Sequence, residues 1–211
     1  MKHTFTQAAA TGDTRIIARS AMGYDWNYFA DEETLLFGKT DETAFRMQNM
    51  TAGTGITSGT GTIYKANVEV AGDLITTTIL VDLTGLSSAA SGDIIGVNDD
   101  DDCHLGQITA ALNGTIFAGQ VSCLETPTTG EPDIDIYTST ASTGGENDAI
   151  SAEAGQAVML TMAADWTGVL APKGLTALPA ANSYLYLVGG DSVAGDYDAG
   201  ILKIVLYGYP A

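Results

Sequence analysis

The chain has little positive charge. Eight Lys and Arg stand against twenty-six Asp and Glu in 211 residues, a formal net charge of −18. Phosphate recognition needs clustered Lys and Arg, so this balance argues against a nucleic-acid partner and against an anionic membrane surface. Cysteine and histidine are scarce, two of each: Cys103, Cys123, His3 and His104. They lack the usual spacing of a four-ligand zinc site. No apolar run is long enough to cross a membrane. Met1-Lys2 leads into the polar HTFTQ and not into an apolar secretory core, so synthesis in a cytoplasm is expected. A serine-hydrolase elbow, a phosphate-cradling loop and a dinucleotide fingerprint are all missing. These absences point to a chain that is not an enzyme and carries no cofactor.

What charge there is falls unevenly. Residues 1–65 hold six of the eight cations against seven acids, while residues 66–211 hold only Lys173 and Lys203 against nineteen acids. A change this abrupt suggests two parts with different surroundings. The early part is dense in aromatics. DWNYFADEETLLFGKTDETAFRMQNM predicts two short helices, with Asp31, Glu32 and Glu33 favouring one N-terminus and Thr40 or Asp41 capping a second helix that ends near Met50. TAGTGITSGTGT then predicts a Gly/Thr/Ser linker, too small and polar to form a core. The division expected is a partly helical N-terminal docking segment over 1–58 and a β domain over 62–211.

From Thr62 the pattern is β. TIYKANVEV and LITTTILVDL are β-branched runs joined by AGD, a hairpin signal. GQITAAL and TIFAGQVSCL flank Asn113-Gly114, which predicts a second hairpin through a type I′ turn. DIDIY sets Asp133 and Asp135 on one face and Ile134 and Ile136 on the other, as a half-buried strand requires. QAVMLTM, SYLYLVG and GILKIVLYGY complete eight or nine strands. The fold class read from this is all-β: an antiparallel β-sandwich, with the jelly roll as its candidate form.

The most conspicuous polar motif is NDDDDCHLG, Asn98 to Gly106. Placing Asn98 first in a calcium loop puts Cys103 where glycine is required and leaves the twelfth position without Glu. Asp99, Asp100, Asp101 and Asp102 are therefore only weak calcium candidates, and a solvated loop is the reading preferred. An Asn-Gly hairpin sets Cys123 opposite His104 and turns Cys103 to the other face, so two free buried thiols are expected and not a disulfide. An acidic neighbourhood raises a thiol pKa, which disfavours cysteine nucleophilic chemistry. Glu131/Asp133 and Asp196/Asp198 mimic glycosidase pairs, but twenty-six acids produce such pairs by chance. Tyr184, Tyr186, Tyr207 and Tyr209 alternate along two late strands, as a packing surface does or, less simply, a sugar-stacking platform.

Three stretches carry a resemblance: GTIYKANVEVAGDLITTTILVDLTGL, GQITAALNGTIFAGQVSCLETPTTGEPDIDIYTST, and YLYLVGG with YDAGILKIVLYGY. They resemble virion proteins of marine tailed bacteriophages over roughly residues 60–209, most closely in NGTIFAG, PDIDIY and LYGY. The resemblance implies a capsid decoration (cement) or other head-associated protein. It implies a location on the outer capsid surface, the major capsid protein as partner, a homotrimer, and no catalytic residues. The alternative is a tail or fibre module that binds a carbohydrate receptor; a secreted carbohydrate-binding module or glycosidase would need a signal peptide and an acid pair in a cleft. Aromatics and Arg are enriched at interface cores. The docking residues expected are therefore Arg15, Arg19, Trp26, Phe29, Phe37 and Arg46.

Overall fold

The computed structural model of the chain describes residues 5–10, 13–19, 25–29, 34–38 and 45–210, with side-chain environments from Gln48 onward. The strands in chain order begin with β1 (Phe5–Ala10), β2 (Asp13–Arg19), β3 (Asp25–Phe29), β4 (Thr34–Gly38) and β5 (Phe45–Gln48). A helical turn, α1 (Thr54–Thr57), precedes β6 (Ile63–Ala71), β7 (Leu74–Asp82), β8 (Ser87–Ser88) and β9 (His104–Ile108). A second helical turn, α2 (Ala110–Asn113), leads to β10 (Thr115–Thr128), β11 (Ile134–Ser139) and β12 (Ala157–Leu160). The chain ends with β13 (Lys173–Gly174), β14 (Ser183–Gly189), β15 (Gly195–Asp196) and β16 (Ala199–Tyr209).

The molecule is all-β, as expected. One antiparallel sheet runs β1-β2-β3-β4-β5-β6-β7-β16-β10-β13 and a second runs β12-β11-β14-β9. Five strands that run outward along the chain each pair with a strand of the return path. These pairs are β7 with β16, β8 with β15, β9 with β14, β10 with β13 and β11 with β12. The pairs β7–β16 and β10–β13 lie in the first sheet, β9–β14 and β11–β12 in the second, and β8–β15 form a two-stranded sheet of their own. The inner faces close one core: Ile79 and Val81 from β7, Leu202, Ile204 and Leu206 from β16, and Val121 and Cys123 from β10 meet Leu105, Ile134, Ile136, Leu185 and Leu187 of the second sheet. This is sandwich packing, in which inward residues alternate with outward ones along each strand.

The AGD hairpin forms as read, with Ala71 paired to Leu74. The two short helices do not form. Trp26 pairs with Phe37 and Leu36 with Arg46 in an antiparallel meander of β3, β4 and β5. Aromatic and branched residues favour a pleated strand, and an isolated helix of a few residues cannot repay its nucleation cost. Asp31, Glu32, Glu33, Thr40 and Asp41, read as helix starts, lie outside the described residues.

Asn113-Gly114 does not close a hairpin either. Thr109 Oγ1 accepts the Leu112 amide at 3.1 Å and caps α2, which ends at Gly114 with φ +68°. A residue without Cβ suits that left-handed backbone. The turn carries the chain between sheets, so β9 pairs with β14 and β10 with β16. His104 consequently stands opposite Tyr186, and Cys123 opposite Leu202.

The Gly/Thr/Ser stretch is packed and is no free tether. Ile56 is fully buried in the main core, the Gly53 amide donates to His104 O at 2.9 Å, and Gly55 O accepts from the Val97 amide at 2.7 Å. A Cβ on Gly53 would lie 1.7 Å from Asp102 O. The small residues serve close backbone approach to the acid loop, a use that looks like linker composition in sequence.

Candidate functional site: the acid loop and the outer sheet face

The four aspartates lie between Val97 and Cys103, on a segment held at both ends. The Asp100 amide donates to Val97 O, the Glu146 amide to Asp100 O at 2.9 Å, and the Cys103 amide to Gly144 O at 2.9 Å. Ser58 Oγ donates to Asp100 Oδ2 at 2.7 Å, and the Asp99 amide to Glu146 Oε2 at 3.3 Å. Asp99 and Asp101 are exposed, while Asp100 and Asp102 are half-buried. Asp99 (φ +58°) and Asp102 (φ +56°) occupy the left-handed region, unusual for residues with a Cβ. The loop is ordered by backbone and side-chain hydrogen bonds. Among the described residues no group of three or more His, Cys, Asp or Glu is arranged to hold a metal ion.

Behind this loop lies a second, smaller core. Ile94, Cys103, Ile150, Tyr186 and Val188 pack together, with Tyr137 and Tyr184 at their edge. Ile94 bridges Val188 and Asp93 bridges Ala149, so these segments continue the second sheet at its edge, while the loop through Ala141 and Gly144 packs over Tyr186 and Ile94. Both cysteines are free and buried. Burial, aided by the charges of Asp100, Glu146 and Asp101, pushes the Cys103 thiol up to about 12. Burial also raises Cys123 and lowers His104, whose Nδ1 accepts the Gly106 amide at 3.1 Å.

The suspected acid pairs are engaged in holding loops. Glu131 is buried; its Oε1 accepts the Asp133 amide at 2.8 Å and its Oε2 the Val193 amide at 3.0 Å. Asp135 Oδ1 accepts the Met162 amide at 2.7 Å, and Asp198 Oδ2 accepts the Thr129 hydroxyl at 2.6 Å. Asp133 differs, since its Oδ1 is buried without a hydrogen-bond partner. Burial first, then the charges of Asp135 and Glu131, raise its carboxyl to about 6.

The tyrosines divide between two surfaces. Tyr186 is buried under the loops and donates to Ala141 O at 2.8 Å, and Tyr184 packs on His104 at 4.8 Å between centroids. Tyr207 and Tyr209 instead face outward from the first sheet, with Phe117 6.4 and 6.3 Å from them. This outer face is formed by β6, β7, β16 and β10. The ladder aligns Ile63, Asp82 and Ile201 in one row and Lys65, Leu80, Lys203 and Ser122 in the next. Ile63, Leu80, Ile201, Val205 and Tyr207 belong to neither core. Ile63 (49 % exposed), Phe117 (52 %), Leu124 (54 %) and Tyr209 (48 %) are open to solvent. Sequence reading missed this face, although the alternation in β7 and β16 that builds the core also puts Leu80 and Ile201 on the opposite side.

The expected docking residues fall on the N-terminal strands: Arg15 and Arg19 in β2, Trp26 and Phe29 in β3, Phe37 in β4 and Arg46 in β5. Arg15 pairs with Phe29 and Trp26 with Phe37 in the ladder; the surroundings of these side chains lie outside the described residues. No family model, curated protein or solved structure matches this chain.

Proposed function

We propose that this chain is a structural virion protein of a tailed phage, bound to the outer capsid surface as a decoration protein that stabilises the head. The observation carrying this reading is the strand order. With β7, β9, β10, β11, β12, β13, β14 and β16 counted as strands one to eight, the two sheets read 1-8-3-6 and 2-7-4-5. This order supports reading the sandwich as a jelly roll, an architecture of viral capsid and lectin domains. β6 and the N-terminal meander extend one edge. The resemblance to marine phage virion proteins supports the same reading, as does a net charge of −18, which keeps many copies soluble before assembly. The partner is the major capsid protein, the working unit is a homotrimer, and no turnover belongs to it, in keeping with carboxylates such as Glu131 and Asp135 committed to backbone amides.

The test is binding of purified protein to phage heads that lack it. Co-sedimentation that saturates at a fixed number of copies per head, with heads made more resistant to heat, is the expected result. Failure to bind heads, together with binding to tails or host cells, would replace this reading with the receptor-binding one. The outward ring group of exposed Phe117 and Tyr209 with half-buried Tyr207 favours that second reading, because exposed aromatic rings stack on sugars as well as on protein.

A further inference from the structure

We infer that copies of this chain associate head to tail, with the outer face of the first sheet in one copy receiving the Asp99–Asp102 loop of the next. The inference rests on the proposed function for its trimeric ring, but on the structure for the two surfaces.

The outer faces of the sandwich are unequal. The second sheet is covered by the chain's own loops and the small core around Tyr186. The first sheet presents Ile63, Leu80, Ile201 and Tyr207 outside both cores. Nine large hydrophobic residues are exposed among the described residues, and five of them, Ile63, Leu74, Phe117, Leu124 and Tyr209, lie on the four strands of this face. An apolar patch of this kind marks an interaction surface.

Charge selects the occupant. Residues 48–210 hold three cations, Lys65, Lys173 and Lys203, against nineteen acids. Two of the three flank Leu80 in one row of this face, about 10 Å apart across two strand spacings. Among the described residues neither makes an ion pair or hydrogen bond, despite the surplus of acids. The complement is a rigid pair of carboxylates with no cation of its own. The loop supplies it: Asp99 and Asp101 are exposed, the Asp99 amide is tied to Glu146 and the neighbouring Asp100 and Cys103 amides to Val97 and Gly144, and Asp99 and Asp102 are held in the left-handed region. Ordering adjacent carboxylates is unfavourable in isolation and becomes favourable against a counter-charge. The loop flanks the small core around Cys103 and Tyr186 and shares no residue with the lysine face. The contact is therefore between two different patches, and such heterologous contacts form a ring where the rotation closes and an open filament where it does not.

Sedimentation velocity on the full chain tests this. The wild type should sediment as an oligomer at low salt and dissociate toward about 1 M NaCl, where the screening length falls to about 3 Å. K65E/K203E and D99K/D101K should each be monomeric with melting temperatures near wild type, and the combined variant carrying all four changes should associate again, because every contact of the ring then sets glutamates against lysines. A monomeric wild type, an oligomer indifferent to both salt and K65E/K203E, or a combined four-site variant that stays monomeric would overturn the inference. So would a large loss of melting temperature in monomeric K65E/K203E, which would mean that the chain itself covers the face. Head binding is scored separately: a wild type that is monomeric and still saturates heads refutes this contact and leaves the decoration role standing.

Discussion

Asn113 reaches across the main core to Thr77, donating from Nδ2 to its hydroxyl at 2.8 Å, while Asn113 Oδ1 accepts the Thr109 amide at 2.8 Å. Both side chains are fully buried. The pair fastens the crossover turn between the sheets to β7. Replacing Asn113 with Ala leaves the Thr109 amide and the Thr77 hydroxyl without these partners, so it should cost about 3 kcal/mol. Thr77→Val keeps the shape and removes one acceptor, and should cost about 1–2 kcal/mol. Urea unfolding of the two variants measures both; an Asn113→Ala loss below that of Thr77→Val would contradict the assignment.

Asp133 predicts a pH dependence. Its folded pKa of about 6 lies above the ordinary aspartate value near 3.9. Between these values the folded state holds more protons than the unfolded state, so this residue's contribution to stability falls as pH rises through the window and is level above it. Asp133→Asn removes the charge at nearly constant shape. The variant should melt above wild type at pH 7, with the gap closing toward pH 4. Equal melting temperatures at both pH values would show that Asp133 is not destabilised by its surroundings.

The glycines at the acid loop are structural. Gly53→Ala places a methyl against Asp102 O and has no flexible side chain to displace, so it should cost about 3 kcal/mol or more. Calorimetry distinguishes this from a linker, in which the same change would leave the melting temperature unmoved.

The thiols should be silent in the native state. Cys103 is fully buried with its pKa raised to about 12, and Cys123 is buried beside β16. A neutral thiol reagent at pH 8 should label neither residue until denaturant is added. Fast native labelling at one site would place that residue at the surface.

The β pattern was legible where a strand has one wet face. β6 and β7 alternate and their AGD turn is local, so the hairpin could be read directly. The partners of β9 and β10 were not legible, because Asn113-Gly114 favours a hairpin in isolation and only burial of Asn113 against Thr77 makes the helical turn win. Trp26, Phe29 and Phe37 carried the right signal for strands, but the acids between them imitated helix starts. The acid loop was readable as a loop. Its ties to Ser58, Gly144 and Glu146 were not, since those residues are distant in sequence. The outer sheet face escaped notice because Lys65 and Lys203 are 138 positions apart and meet only through β7.

The most direct measurement of the central claim is cryo-electron microscopy of the virion at a resolution that traces strands. The expected result is jelly-roll density with two sheets in the orders given above, repeated on the outer capsid surface around three-fold positions, with the lysine face of each copy against the acid loop of its neighbour. Density for this chain on the tail or fibres alone, or its absence from the virion, would contradict it.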